Sequence, residues 1–172
     1  SVLPTDPALA FIDYLIEDFA DEWCTKYMFH YRWHYNVDAD NAGTLLPLGF
    51  DGTMDDAAFQ QFKQYITERQ VGRLYVVGSN DTTAPIIDGS YRRFLAAMES
   101  HLSNQHYMLG SRPGAGDFAL YGQLTQLVGF DPDRLQSRYL RLLYRAQSGG
   151  RLFQYGSCPS YAYRRVSGHD PD

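Results

Sequence analysis

The sequence predicts an all-α domain, on three observations. Apolar residues recur at three- and four-residue spacing through four separate segments, the period of a helix with one face inward. Helix starters and stoppers bracket those segments: Asp6-Pro7, Thr53, Pro85 and Gly114 before them, and Gly78, Ser103-Asn104 and Gly129 after them. No run of alternating apolar and polar residues competes, and only Leu74 to Val77 would pass as a short strand.

The first helix is expected to be long. Asp6 can cap it with Pro7 at the first helical position, and Ala8, Ile12, Leu15, Phe19, Trp23, Tyr27, Tyr31 and Tyr35 form the inward stripe. Asp13, Glu17, Asp18, Asp21 and Glu22 fall on the opposite side and read as a solvated face. Residues 38–52 hold Asp40-Asn41, Gly43, Pro47 and Asp51-Gly52, turn formers that predict a connecting loop, and loops of that length sometimes carry function. Thr53, with Asp56 three residues on, is expected to cap a second helix with Ala58, Phe59, Phe62, Ile66 and Leu74 inward, ending near Gly78. Pro85 opens a third, striped by Ile87, Tyr91, Phe94, Met98 and Leu102. A fourth follows Gly110–Gly116, with Phe118, Tyr121, Leu124 and Leu127 on one face until Gly129 and Pro132.

Length and composition fit one domain over residues 1–172. The chain has enough residues for a continuous core without staples, and 14 Tyr with 10 Phe make that core or a groove rich in aromatics. A formal charge of -5 gives no reason to approach phosphates, so nucleic acid is not an expected partner. Cys24 and Cys158 imply neither a disulfide framework nor a metal spacing, which suits a reducing cytoplasm. The longest uncharged apolar stretch, Phe118 to Phe130, is too short to span a bilayer. The Pro-containing lead, Leu3-Pro4-Thr5-Asp6-Pro7, reads as an interdomain linker, with a further domain expected upstream. Composition changes after Pro132: seven of the 13 Arg lie from Arg134 onward, with a Gly-, Ser- and Tyr-rich stretch near Gly149 to Tyr163.

The run Leu109-Gly110-Ser111-Arg112-Pro113-Gly114-Ala115-Gly116-Asp117-Phe118-Ala119-Leu120-Tyr121-Gly122 resembles the signature of glutathione S-transferase C-terminal domains. There a Ser or Thr caps a core helix and an Asp follows three residues later. Asp117 would accept from the backbone N–H of Gly114, and Gly114 departs from the pattern by offering no side-chain oxygen. Similar to a bacterial glutathione-transferase-like group are Glu17 to Trp23, the block Glu68-Arg69-Gln70 to Val76-Val77-Gly78-Ser79-Asn80, and Ser90-Tyr91-Arg92-Arg93. The resemblance covers residues 6–132 and implies an orthogonal helical bundle, with residues 133–172 a divergent tail on which a packed Leu140, Leu143 and Tyr144 face remains open.

The resemblance implies a division of labour. A thioredoxin-like N-terminal domain would bind glutathione as co-substrate and favour its thiolate, and the helical domain would line the pocket for a hydrophobic electrophile and help form a homodimer. No strand or turn suited to glutathione's γ-glutamyl group can be located here, so this chain alone is expected to bind no glutathione and to contain no catalytic residue. Tyr27, Tyr31 and Tyr35, with Trp33 between them, are candidates for the pocket wall and Arg32 for an anionic ligand, although aromatics at helical spacing are more often core. His30 and His34 share a helix face, but without a HExxH glutamate or a third ligand they do not predict a metal site. Cys24 on an apolar helix reads as packing. Two functions stay open: the substrate-binding and dimerisation half of a glutathione transferase, or a non-enzymatic helical interaction module, for which an exposed aromatic patch would be the sign.

Overall fold

A computed structural model describes residues 2–129, and among them the fold is all-α. The order is α1 (Pro7–Phe19), a π-helical turn (Ala20–Cys24), α2 (Thr25–His34), α3 (Asn36–Phe50), α4 (Asp56–Val71), a single 3-10 turn (Leu74–Val77), α5 (Ala84–Leu102) and α6 (Ala115–Gly129). The tail 133–172, with Cys158 and the Leu140, Leu143 and Tyr144 face, lies outside the described residues.

α1 and α2 make the long first helix, continuous through the π turn. The Asp6 carboxylate accepts from Ala8 N and Leu9 N at 2.9 and 3.0 Å, and Pro7 follows it, as the spacing predicts. The helix ends at Tyr35, whose backbone is extended (φ -94°, ψ 130°). Its inward face differs from the expectation. Ile12, Leu15 and Trp23 point outward, and Asp13 is completely buried. Asp13, Ala20, Cys24, Tyr27 and Tyr31 are the positions that turn inward. The π turn supplies one more residue than an α-helical turn would, and so changes the phase between the two halves of the stripe.

A main core gathers Ala20, Cys24, Tyr27 and Tyr31 with Tyr91, Leu95 and Met98 of α5 and Leu120, Leu124 and Leu127 of α6. The α5 stripe lies where its period places it. On α6 the inward face is Leu120, Leu124 and Leu127, while Phe118 is 43% exposed and Tyr121 half-buried. A second, smaller cluster joins Trp33 to Ala39 and Ala42 of α3, with Phe29, Leu46 and Leu74 packed on it.

Residues 36–50 correct the loop expected at 38–52. They form α3, with Asp38, Ala39, Ala42, Gly43 and Pro47 buried. Tertiary contact overrides the turn formers: α3 lies along α4, Lys63 pairs with Asp40 at 2.6 Å, and Gly43 lets Thr67 approach so closely that a Cβ would sit 2.2 Å from its Oγ1. The connection is only the turn at Asp51, whose carboxylate accepts from the backbone N–H and the hydroxyl of Thr53 and is thereby held below the usual carboxylate range. Asp55, accepting from Ala58 N at 2.8 Å, caps α4 in place of Thr53. α4 stops at Val71 and the chain reaches Gly78 through the 3-10 turn; Gly78 has φ +70°, where glycine carries no steric penalty.

Candidate functional site

Two constructions set the geometry around the candidate residues. The first is the start of α6. Asp117 accepts from Gly114 N at 2.9 Å, the predicted cap, and its other oxygen accepts from Met108 N at 3.0 Å, tying the preceding turn to the helix. The cap residue missing at Gly114 is supplied from α1. Asp13, 101 residues earlier, accepts from Ala115 N and Gly116 N, each at 3.0 Å. The free N–H groups of a helix start attract a carboxylate, and two charged hydrogen bonds offset the burial of this one. Gly114 therefore has a steric role: a Cβ there would lie 2.4 Å from Asp13 Oδ1. A Cβ on Gly116 would meet Ile16 at 2.6 Å. The signature lacks its Ser or Thr because a distant Asp occupies that side chain's place.

The second is a polar seam between α2 and the segment that opens α5. Tyr27 and Ser90 hydroxyls share a hydrogen bond of 2.7 Å; Tyr31 donates to Asp88 at 2.9 Å; His30 Nδ1 bonds Ser79 Oγ at 2.7 Å. Arg92 holds the second oxygen of Asp88 at 2.6 Å. Ser79 belongs to the turn that launches α5, in which the Asn80 side chain accepts from Thr82 N and Thr83 N, and Thr83 Oγ1 donates to Gly78 O. Tyr91 stacks at a tilt against both Tyr27 and Tyr31, 5.3 Å from each centroid.

The sequence candidates divide on this seam. Tyr27 and Tyr31 are 6% and 0% exposed, with rings in the main core and hydroxyls bonded to α5. Trp33, 3% exposed, faces the smaller cluster instead. Tyr35 is half-buried and stacks nearly parallel on Tyr31, with centroids 6.3 Å apart. Arg32 is 7% exposed and reaches α6, donating to the backbone and side-chain oxygens of Gln126 at 3.4 and 3.3 Å. Tyr31 and Tyr35 are thus brought together, Tyr27 lies deeper along the same face, and Arg32 faces α6.

The histidines pack as neighbours. His30 is fully buried and stacks on His34 at 4.7 Å, and His34 Nε2 stands 3.7 Å from Asp81 Oδ1. Among the described residues no group of three or more His, Cys, Asp or Glu side chains is placed to hold a metal ion. Cys24 is buried, and its thiol is pushed up to about 12 by burial first and by the nearby Asp21 charge second. At neutral pH it is protonated, a packing group and not a nucleophile.

Sequence reasoning missed Asp13 and the seam partners Ser79, Asp88 and Ser90. Asp13 had one usable signal, a lone acid among Phe11, Ile12, Tyr14, Leu15 and Ile16, while the seam partners had none, since Ser and Asp at a helix start read as caps. A groove of about 640 Å³ also runs between α3 and α4, walled by Asn36, Asp40, Gln60, Lys63, Gln64 and Thr67. Among the described residues no helix is long and apolar enough to cross a membrane.

Residues 81–155 match the family described as glutathione S-transferase, C-terminal domain. That stretch contains all of α5, the Asp117 cap and α6, so the all-α fold found here agrees with a helical domain of that type. The comparison with curated proteins and that with solved structures give no match.

Proposed function

We propose, starting from a helical domain of the glutathione S-transferase C-terminal type, that this chain is the substrate-binding and dimer-forming half of a glutathione S-transferase-like protein. A thioredoxin-like domain would hold glutathione and favour its thiolate. The observation that carries the reading is the start of α6, where Asp117 and Asp13 together complete the helix-capping signature inside the matched stretch. In this reading Tyr27 and Tyr31 act from within the core, fixing α2 against α5. Tyr35, half-buried and stacked on Tyr31, offers the flat surface that a hydrophobic electrophile meets, while Arg32, buried and bonded to Gln126, holds α2 to α6. The thiol chemistry lies elsewhere, since Cys24 stays protonated at neutral pH. The same reading expects a cytoplasmic homodimer, with neither nucleic acid nor membrane as a partner.

Calorimetric titration of the chain with glutathione is the test of the division of labour: no heat is expected, and micromolar binding to this chain alone would end the half-enzyme reading. Titration with an anilinonaphthalene sulfonate dye tests the surface. Tyr35→Ala should weaken the affinity about tenfold, the loss of one aromatic contact, and an unchanged affinity would remove Tyr35 from the pocket. One observation favours the interaction-module alternative, the exposed apolar side of α1. Self-association without any dye or electrophile binding would select it.

A further inference from the structure

In an Asp-Gly pair the glycine nitrogen can reach the preceding side-chain carboxyl, because no Cβ stands in its way. The pair occurs twice in this sequence, as Asp51-Gly52 and Asp88-Gly89, and the fold treats the two differently. Asp88-Gly89 lies inside α5, where the Gly89 N–H belongs to the helical ladder. Both carboxylate oxygens of Asp88 are engaged, Oδ1 by the Tyr31 hydroxyl at 2.9 Å and Oδ2 by Arg92 Nε at 2.6 Å. Chemistry there requires α5 to unwind at its seam with α2.

Asp51-Gly52 opens the short connection from α3 to α4, and Asp51, Gly52 and Thr53 are all exposed. The Gly52 N–H donates to no described residue. A Cβ on Gly52 would have only Leu48 O within reach, at 3.9 Å, so nothing crowds the approach. The Asp51 carboxylate is held through Oδ1 alone, by Thr53 N at 2.8 Å and Thr53 Oγ1 at 2.6 Å, and Oδ2 accepts from no described residue. Oδ2 can therefore take a proton and leave as hydroxyl while Oδ1 keeps both bonds.

We propose that Asp51 is a site of spontaneous isomerisation to isoaspartate in the folded chain, and that Asp88 is protected from it. The Gly52 nitrogen attacks the side-chain carboxyl carbon of Asp51. A C–N bond forms, the C–Oδ2 bond breaks, and the hydroxyl departs with the amide proton as water, leaving a cyclic succinimide. Water then opens the ring at the main-chain carbonyl to give isoaspartate, or at the side-chain carbonyl to return aspartate. Water is the only co-reactant, and the mass is unchanged at the end. The product carries one more backbone atom in the connection that sets α3 against α4. This chemistry is independent of any glutathione transferase activity.

The test is prolonged incubation of the full chain at neutral pH and body temperature, followed by peptide mass spectrometry with electron-transfer fragmentation, which distinguishes isoaspartate from aspartate. Conversion at Asp51 should run at least about tenfold ahead of conversion at Asp88, since a helix interior must open before it reacts. In urea the two sites should convert at similar rates. Gly52→Ala should slow Asp51 about tenfold by placing a Cβ beside the nucleophile, with an unchanged melting temperature as the control for folding. Equal conversion at the two sites in the folded chain would overturn the proposal, because the reaction would then belong to the unfolded state. So would the absence of isoaspartate at Asp51 in the folded chain when it forms in urea.

Discussion

Asp13 and Gly114 act as one unit. The carboxylate satisfies two backbone N–H groups at the start of α6 from the position that a cap side chain would otherwise fill. Two predictions follow from that exchange of roles. Asp13→Ala leaves two N–H groups without partners, at about 1–3 kcal/mol each, so differential scanning calorimetry should show a loss of about 3 kcal/mol or more. Gly114→Ser, which adds a capping hydroxyl at the helix start, should also destabilise, by about 2 kcal/mol of overpacking against Asp13. Combined with Asp13→Ala, its cost should be smaller than the sum, the sign of direct coupling. A stabilising Gly114→Ser in the wild-type background would refute this account. Cys24 gives a third residue-scale prediction. Its folded pKa, about 12, lies above the model-peptide value of 9.0, so stability is fully present below pH 9 and declines as pH rises toward 12, where the unfolded thiol ionises first. Cys24→Ala should flatten that decline in urea titrations run from pH 8 to 10.5, whatever it costs in packing.

α3 shows how an element can contradict its own composition. Asp40-Asn41, Gly43 and Pro47 are poor helix formers, yet burial of Ala39, Ala42 and Pro47 beside α4 and Trp33 holds the segment helical. Two glycines in this helix should answer alanine with opposite signs. Gly49 has open space around a Cβ, so Gly49→Ala should stabilise by about 0.5 kcal/mol through the reduced freedom of the unfolded chain. Gly43→Ala would drive a methyl into Thr67 and should cost about 1–3 kcal/mol. Chemical denaturation of the two variants separates the outcomes; equal effects would mean that 36–50 is not the helix described here.

Across the molecule, burial is uneven. α1, α2, α5 and α6 share the main core, whereas α3 and α4 rest on a cluster of three buried residues, and α4 contributes no buried residue at all. Local opening follows buried contact. Amides of α4 should therefore exchange at least about tenfold faster than those at the centre of α5, by native-state hydrogen exchange. Uniform protection across both helices would show that the hairpin draws stability from contacts other than these.

The helical class, the Asp6 and Pro85 starts, the α5 stripe and the Asp117 cap were all legible in the sequence, because each depends on residues within a turn or two of one another. The face of α1 that turns inward was not. The apolar period pointed to the side of Ile12 and Leu15 and left Asp13 on a solvated face, whereas the side that turns inward is set by the hydrogen bonds of Asp13 to residues about a hundred positions away. The helicity of 36–50 and the burial of Tyr27 and Tyr31 likewise depend on partners in α4 and α5. Apart from 36–50, local spacing determined which described segments are helices; long-range hydrogen bonds and steric fit decided which side of each helix meets another, and with it which candidate residues remain within reach of a ligand.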